Sequence, residues 1–543
     1  VLEPLEITAS FAKEMSFNLA VDRVVINQAS QFELKSGNPS PPLVAGRGAM
    51  IRVFLNVTNG PDNLKGLNVT LHGLRNGEEL EPLSQAFDIP SVPNENTDNN
   101  ITFNLPENWS VPGLAIAIEV DSGDNLPETD ETDNRFPISG WRSLAFEEID
   151  PQEIVLVPIR YEYDGYSHTP STGADVIAMF RKSYEDLYPK SSIHVTVHPE
   201  IGWDKKVSAS GNGWNGLLSA VAEVRRGEDY DPRSYHYGLF NYGYTGDTST
   251  VAGLGYVNTP SQSQNFAAIG LDSIWFMSET AAHETGHNHG RLHAPCGDPD
   301  GVDPSYPYSG GIIGVPGYDL IEHSTIPKTR NFDLMSYCSP SWISDYTYKG
   351  IFTFDAEVKK YYSQGVPALM GVWISGEISG TGHYRLRSMQ QSFVSNPPPD
   401  QGDHVLEFWQ EDQLIHHSHF QPSPIDHLTG QAAFALLAPA GLGYDRLSIR
   451  VAGNLVWEQK RPAGGIVWPD QPIGRTHQRL SLPAVTLPGG SRIIRKSDDG
   501  RHFQVIRVDW DAGPALVLTP PLPRFLEIQL FQGVDLLVKR YEW

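Results

Sequence analysis

Between Ser16 and about Pro137, apolar and polar residues alternate over short runs such as Met50-Ile51-Arg52-Val53-Phe54-Leu55-Asn56-Val57 and Leu114-Ala115-Ile116-Ala117-Ile118-Glu119-Val120, with Gly, Pro and Asn in the gaps. A period of two broken by turn residues predicts the strands of an all-β sandwich. The texture changes at Glu153-Ile154-Val155-Leu156-Val157-Pro158-Ile159. From there the spacing predicts a strand, a helix over 174–188, a strand over 193–197 and a helix over 214–225. Strands follow at 235–242, 251–257 and 266–271, and then a helix beginning near Ser278 with Glu279 in its first turn. That β-α-β-α order predicts a mixed α/β unit over about 150–365. Beyond Pro367 the β pattern returns at 369–378, 404–409 and 447–456, and after a Pro/Gly-rich link at 461–472 it runs to Trp543, which predicts one or two further β-sandwiches. No repeat of fixed period and no low-complexity segment interrupts this order.

With 543 residues and roughly 100 to 200 residues per domain, three or four domains are expected. The pattern divides the chain as 1–145, 146–366, 367–462 and 463–543, the last two readable as one unit. A charged fraction of 19%, with 50 Gly and 42 Pro, excludes a coiled coil and bulk disorder. The net charge of −25 repels phosphate backbones and anionic lipid, so neither nucleic acid nor a membrane surface is an expected partner. No apolar stretch reaches the roughly 18 to 20 residues of a membrane helix. The longest candidate, Ala432 to Leu442, is broken by Pro439 and Gly441, so no transmembrane segment is expected. The start, Val1-Leu2-Glu3-Pro4, lacks the basic and apolar stretches of a secretory signal, which was either removed or never there. The two cysteines, Cys296 and Cys338, are compatible by number with either redox compartment.

One segment concentrates chemistry: Ser278-Glu279-Thr280-Ala281-Ala282-His283-Glu284-Thr285-Gly286-His287-Asn288-His289-Gly290-Arg291-Leu292-His293, which contains H-E-x-x-H-x-x-G-x-x-H without a mismatch. Positions i and i+4 share a helix face, so His283 and His287 can both reach one zinc ion, with Glu284 beside it. Gly290 can take φ > 0, end the helix and return the chain so that His293 supplies a third nitrogen. Three protein ligands leave a position for water, the mark of a catalytic site. A helix that merely carried surface histidines has no need of Gly290 and His293 at those offsets.

About 40 residues after His293 comes Asn331-Phe332-Asp333-Leu334-Met335-Ser336-Tyr337-Cys338, placed like the Met-turn of metzincins. Over about 215 residues the chain resembles a metzincin zinc endopeptidase. The residue after the third histidine, Ala294, is not the acidic, proline or serine residue of the better-known subfamilies, which leaves the subfamily open. The resemblance implies an α/β catalytic domain, which the β pattern on either side flanks with immunoglobulin-like β-sandwiches; it also implies one catalytic zinc ion, Met335 as the apolar floor under the imidazoles, and Tyr337 as a donor to the tetrahedral intermediate. It implies that extended substrate pairs with the edge strand before the zinc helix, here the 251–257 region with Gly255 and Tyr256, and that Ser339 to Trp342 form a specificity wall. With both loops converging on the metal as in the family, it further implies a Cys296–Cys338 disulfide, hence an oxidising, extracellular or periplasmic setting. The mechanism it implies is attack by a zinc-activated water with Glu284 as general base.

A shorter likeness spans about 20 residues: the turn Asp121 to Asn134 resembles the closing hairpin of CARDB-type adhesion domains. A solvated turn is favoured there over calcium, as is a polar loop at Asp298, Asp300 and Asp303, where structural calcium is the alternative. His417 and His419 are read as one face of a surface strand, and His289 as pointing away from the metal. The N-x-S/T triplets at Asn56, Asn68, Asn100 and Asn108 discriminate little. The expectation is therefore a secreted, monomeric zinc endopeptidase acting on a protein or glycoprotein. Its rivals are a glycopeptidase specific for O-glycosylated mucin-like substrates and a non-catalytic adhesin or glycan-binding protein that keeps the fold as scaffold. An intact Glu284 argues against the latter.

Overall fold

The computed structural model describes residues 17–35, 37–59, 63–90, 101–243, 251–274, 276–461, 464, 466, 468, 474–476 and 479–543. The architecture is multidomain and rich in β-structure, with two compact units: residues up to 149 with 313–331 and 342–345, and residues 150–312 with 332–341 and 346–543.

In the first unit the alternating runs form strands as the pattern predicts. Asn18–Glu33 pairs antiparallel with Met50–Thr58, and Ile101–Asn104 and Gly317–Asp319 extend that sheet on either side. A second sheet has Asn63–Arg75 between Leu83–Pro90 and Leu114–Val120. Val24, Ile26, Ile51, Val53 and Phe103 of one sheet and Val69, Leu71, Ile116 and Ile118 of the other are fully buried, and Phe87 meets Phe103 edge-on across the two at 5.8 Å. The acidic turn is internally bonded: Asp121 accepts from the Leu126 N–H at 2.7 Å, and Glu128 accepts from the Leu19 N–H and, at 2.9 Å, from the Asn134 amide. Asn56, Asn68 and Asn108 lie in this unit, whereas Asn100 lies outside the described residues.

The second unit opens on β1 (Gln152–Tyr163), α1 (Ala174–Leu187), β2 (Ile193–Val197), β3 (Ile201–Trp203), α2 (Trp214–Gly227), β4 (Ser234–Phe240), β5 (Gly253–Gly255), β6 (Ala267–Leu271) and α3 (Met277–Asn288). β2, β1, β4 and β6 run parallel, and β5 closes the edge antiparallel to β6, Gly255 facing Ala268. Buried on both faces, β4 and β6 carry no exposed residue, which is why they read as continuous apolar runs rather than alternating ones. The strand expected over 251–257 contracts to three residues, because its continuation leaves the sheet to bridge Ile425 at Tyr256. A helix that the pattern did not predict, α4 (Asp345–Tyr362), buries Tyr348, Ile351, Phe352, Asp355 and Val358, an i, i+3, i+4 stripe masked by its aromatic and β-branched composition.

Farther on, strands 369–378, 384–394 and 432–439 form one sheet and 404–410, 413–420, 446–451 and 454–460 another, about a shared core that includes Ile374, Leu406, Phe434 and Ile449. The run expected as one strand over 447–456 is a hairpin, since Ala452 and Gly453 turn it at positive φ. His416, His417 and His419 lie on the edge strand 413–420, which pairs with 404–410. The closing strands do not stand apart. Gln504–Gly513 pairs in parallel with β3, Gly202 against Arg507, and brings Val505, Val508 and Trp510 into the core of the parallel sheet.

Candidate metal centre

α3 is placed from both sides. The Tyr188 hydroxyl donates to the Ala282 carbonyl at 2.6 Å and the Tyr184 hydroxyl to the Ala281 carbonyl at 3.0 Å, so α1 grips it through polar contacts in a buried layer. The helix ends at Asn288, and Gly290 turns the chain at φ +71, where a Cβ would fall 2.8 Å from the Asn258 carbonyl oxygen. Only glycine satisfies both the left-handed backbone and that approach. The chain then returns as the sequence motif predicts, bringing His293 beside the two helical histidines: ring centroids lie 5.0 Å apart for His283 and His287, 5.3 Å for His283 and His293, and 4.7 Å for His287 and His293.

The three imidazoles are oriented alike. His283 Nδ1 bonds the Leu334 carbonyl at 2.8 Å, His287 Nδ1 the Arg291 carbonyl at 2.6 Å and His293 Nδ1 the Asp300 carbonyl at 2.5 Å. A ring nitrogen that meets a carbonyl must carry the proton, which turns each Nε2 inward, away from its carbonyl. His287 Nε2 and His293 Nε2 are 3.2 Å apart, and His283 Nε2 is buried without a hydrogen-bond partner. The Asp298–Asp303 loop therefore has a use the sequence did not signal: the Asp300 carbonyl fixes the His293 ring. Beneath α3, Met335 is buried and its sulfur occupies the space that Gly286 leaves, where a Cβ would collide with it.

The turn at Met335 is tied to the histidine loop. Met335 N–H donates to Asp333 Oδ1 at 2.8 Å, the Ala294 N–H to the Met335 carbonyl at 2.9 Å, and the Tyr337 N–H to the Cys296 carbonyl at 3.0 Å. The Cys296–Cys338 disulfide is formed across these two loops, with Cα atoms 5.7 Å apart. Tyr337 is 42% exposed, so it is no core aromatic, and its hydroxyl stands 3.1 Å from His293 Nε2.

Two residues join that sequence reasoning missed. Asp426 and His427, more than 130 positions beyond His293, enter the site from the loop before strand 432–439. Asp426 Oδ2 lies 3.2 Å from His287 Nε2, and Oδ1 lies 3.5 Å from His293 Nε2. His427 bonds Asp426 at 2.9 Å and stands 2.9 Å from the Tyr337 hydroxyl. Nothing in Pro424-Ile425-Asp426-His427 marks it as part of a metal motif, since neither spacing nor composition links it to α3. His283, His287, His293 and Asp426 offer one ligand atom each, all within 4.8 Å of one another, a donor set that could hold a metal ion.

The electrostatics follow from burial and from this carboxylate. Burial, with the Asp426 charge second, pushes Glu284 up to about 8. Burial disfavours an imidazolium at all three rings; it carries His293 down to about 4 and His283 well below its ordinary value. At His287 the Asp426 carboxylate outweighs burial and raises the ring to about 9. Asp426 itself, against the cost of burial, is held far below the usual carboxylate range by His287 and His427. Tyr337 is pushed well up by burial and by the Asp426 and Glu284 charges, so its hydroxyl stays a donor.

A cleft of about 380 Å³ runs past these groups, lined by Val251, Ala252 and Gly253, by His283, Glu284 and Tyr337, and by Ser339, Ser341 and His427. Of the residues expected to touch substrate, Gly255 lies on the edge strand with its carbonyl taken by the Asp426 N–H at 3.0 Å. Tyr256 is buried in the core, and Trp342 belongs to the first unit, where its indole donates to the Ala29 carbonyl at 2.9 Å. Alternation along the strand Ser341–Trp342 sends the two side chains opposite ways, so the serines line the cleft and the tryptophan does not. His289 points away from the imidazole cluster as expected, buried, 3.3 Å from Asp355 and stacked on Tyr235.

No protein-family model and no curated protein matches the chain. Among solved structures, a β-glucuronidase from Parabacteroides merdae aligns at 8% identity over 97% of this chain and 78% of that one, with a TM-score of 0.16. A β-glucuronidase from glycoside hydrolase family 2 aligns at 8% identity over 98% of this chain and 62% of that one, with a TM-score of 0.13. Overlaps of that size carry no argument about fold or chemistry.

Proposed function

We propose that the chain is a zinc-dependent endopeptidase of the metzincin type, secreted into an oxidising compartment. The observation that carries this reading is the convergence of three Nε2 atoms, each ring fixed by a carbonyl on the far nitrogen, beside Glu284 and over Met335. The donor chemistry fits zinc: three imidazoles oriented by partners behind them, of which His287 would release its Nε2 proton on binding, with a carboxylate base adjacent but outside the histidine set. Bound there, zinc would polarise a peptide carbonyl and acidify a water.

The chain's own residues supply the rest. Glu284, at about 8 before any cation lowers it, accepts a proton from the attacking water and returns it to the leaving amine. The Tyr337 hydroxyl donates to the carbonyl oxygen as charge gathers there. The edge of β5 offers backbone groups to an extended substrate. The disulfide, and the lack of any helix long and apolar enough to cross a membrane among the described residues, fit a secreted enzyme.

The test is cleavage of a mixed set of unmodified and O-glycosylated proteins by wild type and Glu284→Gln at matched zinc content. Hydrolysis by wild type alone supports the reading, and the fragment ends report whether sugar or side chain sets specificity. Zinc-loaded protein that cuts nothing, also after proteolytic activation, would favour a binding protein.

A further inference from the structure

We infer that Asp426 is the fourth ligand of the metal, so that this chain completes the coordination sphere with its own carboxylate where a catalytic site would keep water. The inference rests on the zinc-site reading above and adds to it.

Three observations carry it. The first is distance: a tetrahedral ion with 2.0 to 2.1 Å bonds sets its ligand atoms about 3.3 Å apart. His287 Nε2 to His293 Nε2 is 3.2 Å, His287 Nε2 to Asp426 Oδ2 is 3.2 Å and His293 Nε2 to Asp426 Oδ1 is 3.5 Å. The second is burial, for Asp426 is only 8% exposed. A carboxylate removed from water is costly unless it is paired or ligates a cation; His287 and His427 pair with it here, and a metal ion held by the imidazoles would take over the charge of His287. The third is docking. The Val257 N–H donates to the Pro424 carbonyl at 2.9 Å and the Asp426 N–H to the Gly255 carbonyl at 3.0 Å, with Tyr256 and Ile425 in an antiparallel bridge. Segment 424–426 thus adds itself to the sheet edge as an extended peptide would, and the pairing register delivers its carboxylate to the imidazoles.

His427 completes the closure. It sits at φ +57, an unfavourable backbone for a non-glycine residue that the surroundings impose, and its ring stacks on Tyr337 with centroids 5.6 Å apart. The hydroxyl proposed as donor to the oxyanion is thereby held by His427, at 2.9 Å from its Nδ1. As folded, the second unit holds part of its own cleft, and hydrolysis requires the 424–427 segment to withdraw.

The experiment is metal binding on the full chain, with zinc alone competed against a chromophoric chelator and cobalt(II) read by its visible spectrum. In Asp426→Ala and Asp426→Asn, the zinc dissociation constant is expected to rise by at least the roughly ten-fold that loss of even an outer-shell partner costs, and the cobalt spectrum is expected to change. Asp426→Cys guards against loss of folding with a signal that must appear: a sulfur-to-cobalt charge-transfer band in the near ultraviolet. Unchanged zinc affinity in the Asn variant, or no such band in a cobalt-loaded Cys variant, overturns the inference. His283→Ala separates the two readings. If it binds zinc as tightly as wild type, the site itself is misassigned and both fall. If it loses zinc while the Asp426 variants do not, only the fourth ligand falls.

Discussion

At the scale of single residues, the site depends on where protons sit. Each Nδ1 is committed to a carbonyl, so each Nε2 already faces inward, and His287 has only to release the proton it shares with Asp426. Glu284 has no such tie, and its Oε2 is buried without a hydrogen-bond partner, which suits a group that must take up and release a proton. Replacing it by Gln should leave zinc content intact and lower kcat/KM by roughly 10² to 10⁴, the range for loss of a general acid–base. Tyr337→Phe removes one donor to the developing oxyanion, so kcat should fall by about 10² with KM nearly unchanged. A rise in KM alone would instead make Tyr337 a binding residue.

At the scale of elements, α3 is a short helix whose function depends on how it stops. Gly290→Ala forces a left-handed backbone on a side chain that also meets the Asn258 carbonyl. The backbone term alone costs roughly 1 to 2 kcal/mol, and because His293 follows three residues later, zinc affinity should fall with the urea midpoint. A wild-type midpoint would show that the turn tolerates a Cβ. α4 meets the chain just beyond the ends of α1 and α3 through a buried ion cluster: Asp355 lies 2.9 Å from Lys190 and 3.3 Å from His289. Burial opposes the Asp355 charge, but Lys190 and His289 outweigh it and hold the carboxyl below its ordinary value. A lowered folded pKa contributes stability that is fully present above the unfolded value of about 4 and is lost as pH falls through the folded value. Asp355→Asn should therefore cost roughly 3 kcal/mol near neutrality, where it removes the carboxylate that lies 2.9 Å from the buried Lys190. The gap between variant and wild type should narrow in denaturation as pH falls below about 4; a gap that stays constant through that fall would assign the loss to packing.

At the scale of the whole molecule, the α/β layer and the C-terminal strands of the second unit share one core. Ile493, Val505, Val508 and Trp510 lie in the same buried cluster as Val157, Ile201, Trp214 and Leu217. A chain ending at residue 366 would expose that surface and leave β3 paired with β1 alone. It should lose its near-ultraviolet circular dichroism and become protease-sensitive, and a truncated chain with native-like spectra would contradict the shared core.

The local features were legible because they are written at fixed spacing. His283, Glu284 and His287 need only the helical repeat, Gly290 and His293 only the turn that follows, and β4, β6 and α2 only their own apolar pattern. The Cys296–Cys338 bond came through family likeness, since neither cysteine predicts a partner alone. α4 escaped because aromatic and β-branched residues obscured a helical stripe, and Trp342 was misplaced because a period of two decides which face a strand residue takes. What only the tertiary structure decided is the arrival of Asp426 and His427 at the histidines. That contact depends on strand pairing between segments some 170 positions apart, and no periodicity or spacing in a sequence encodes which distant backbone a sheet edge will accept.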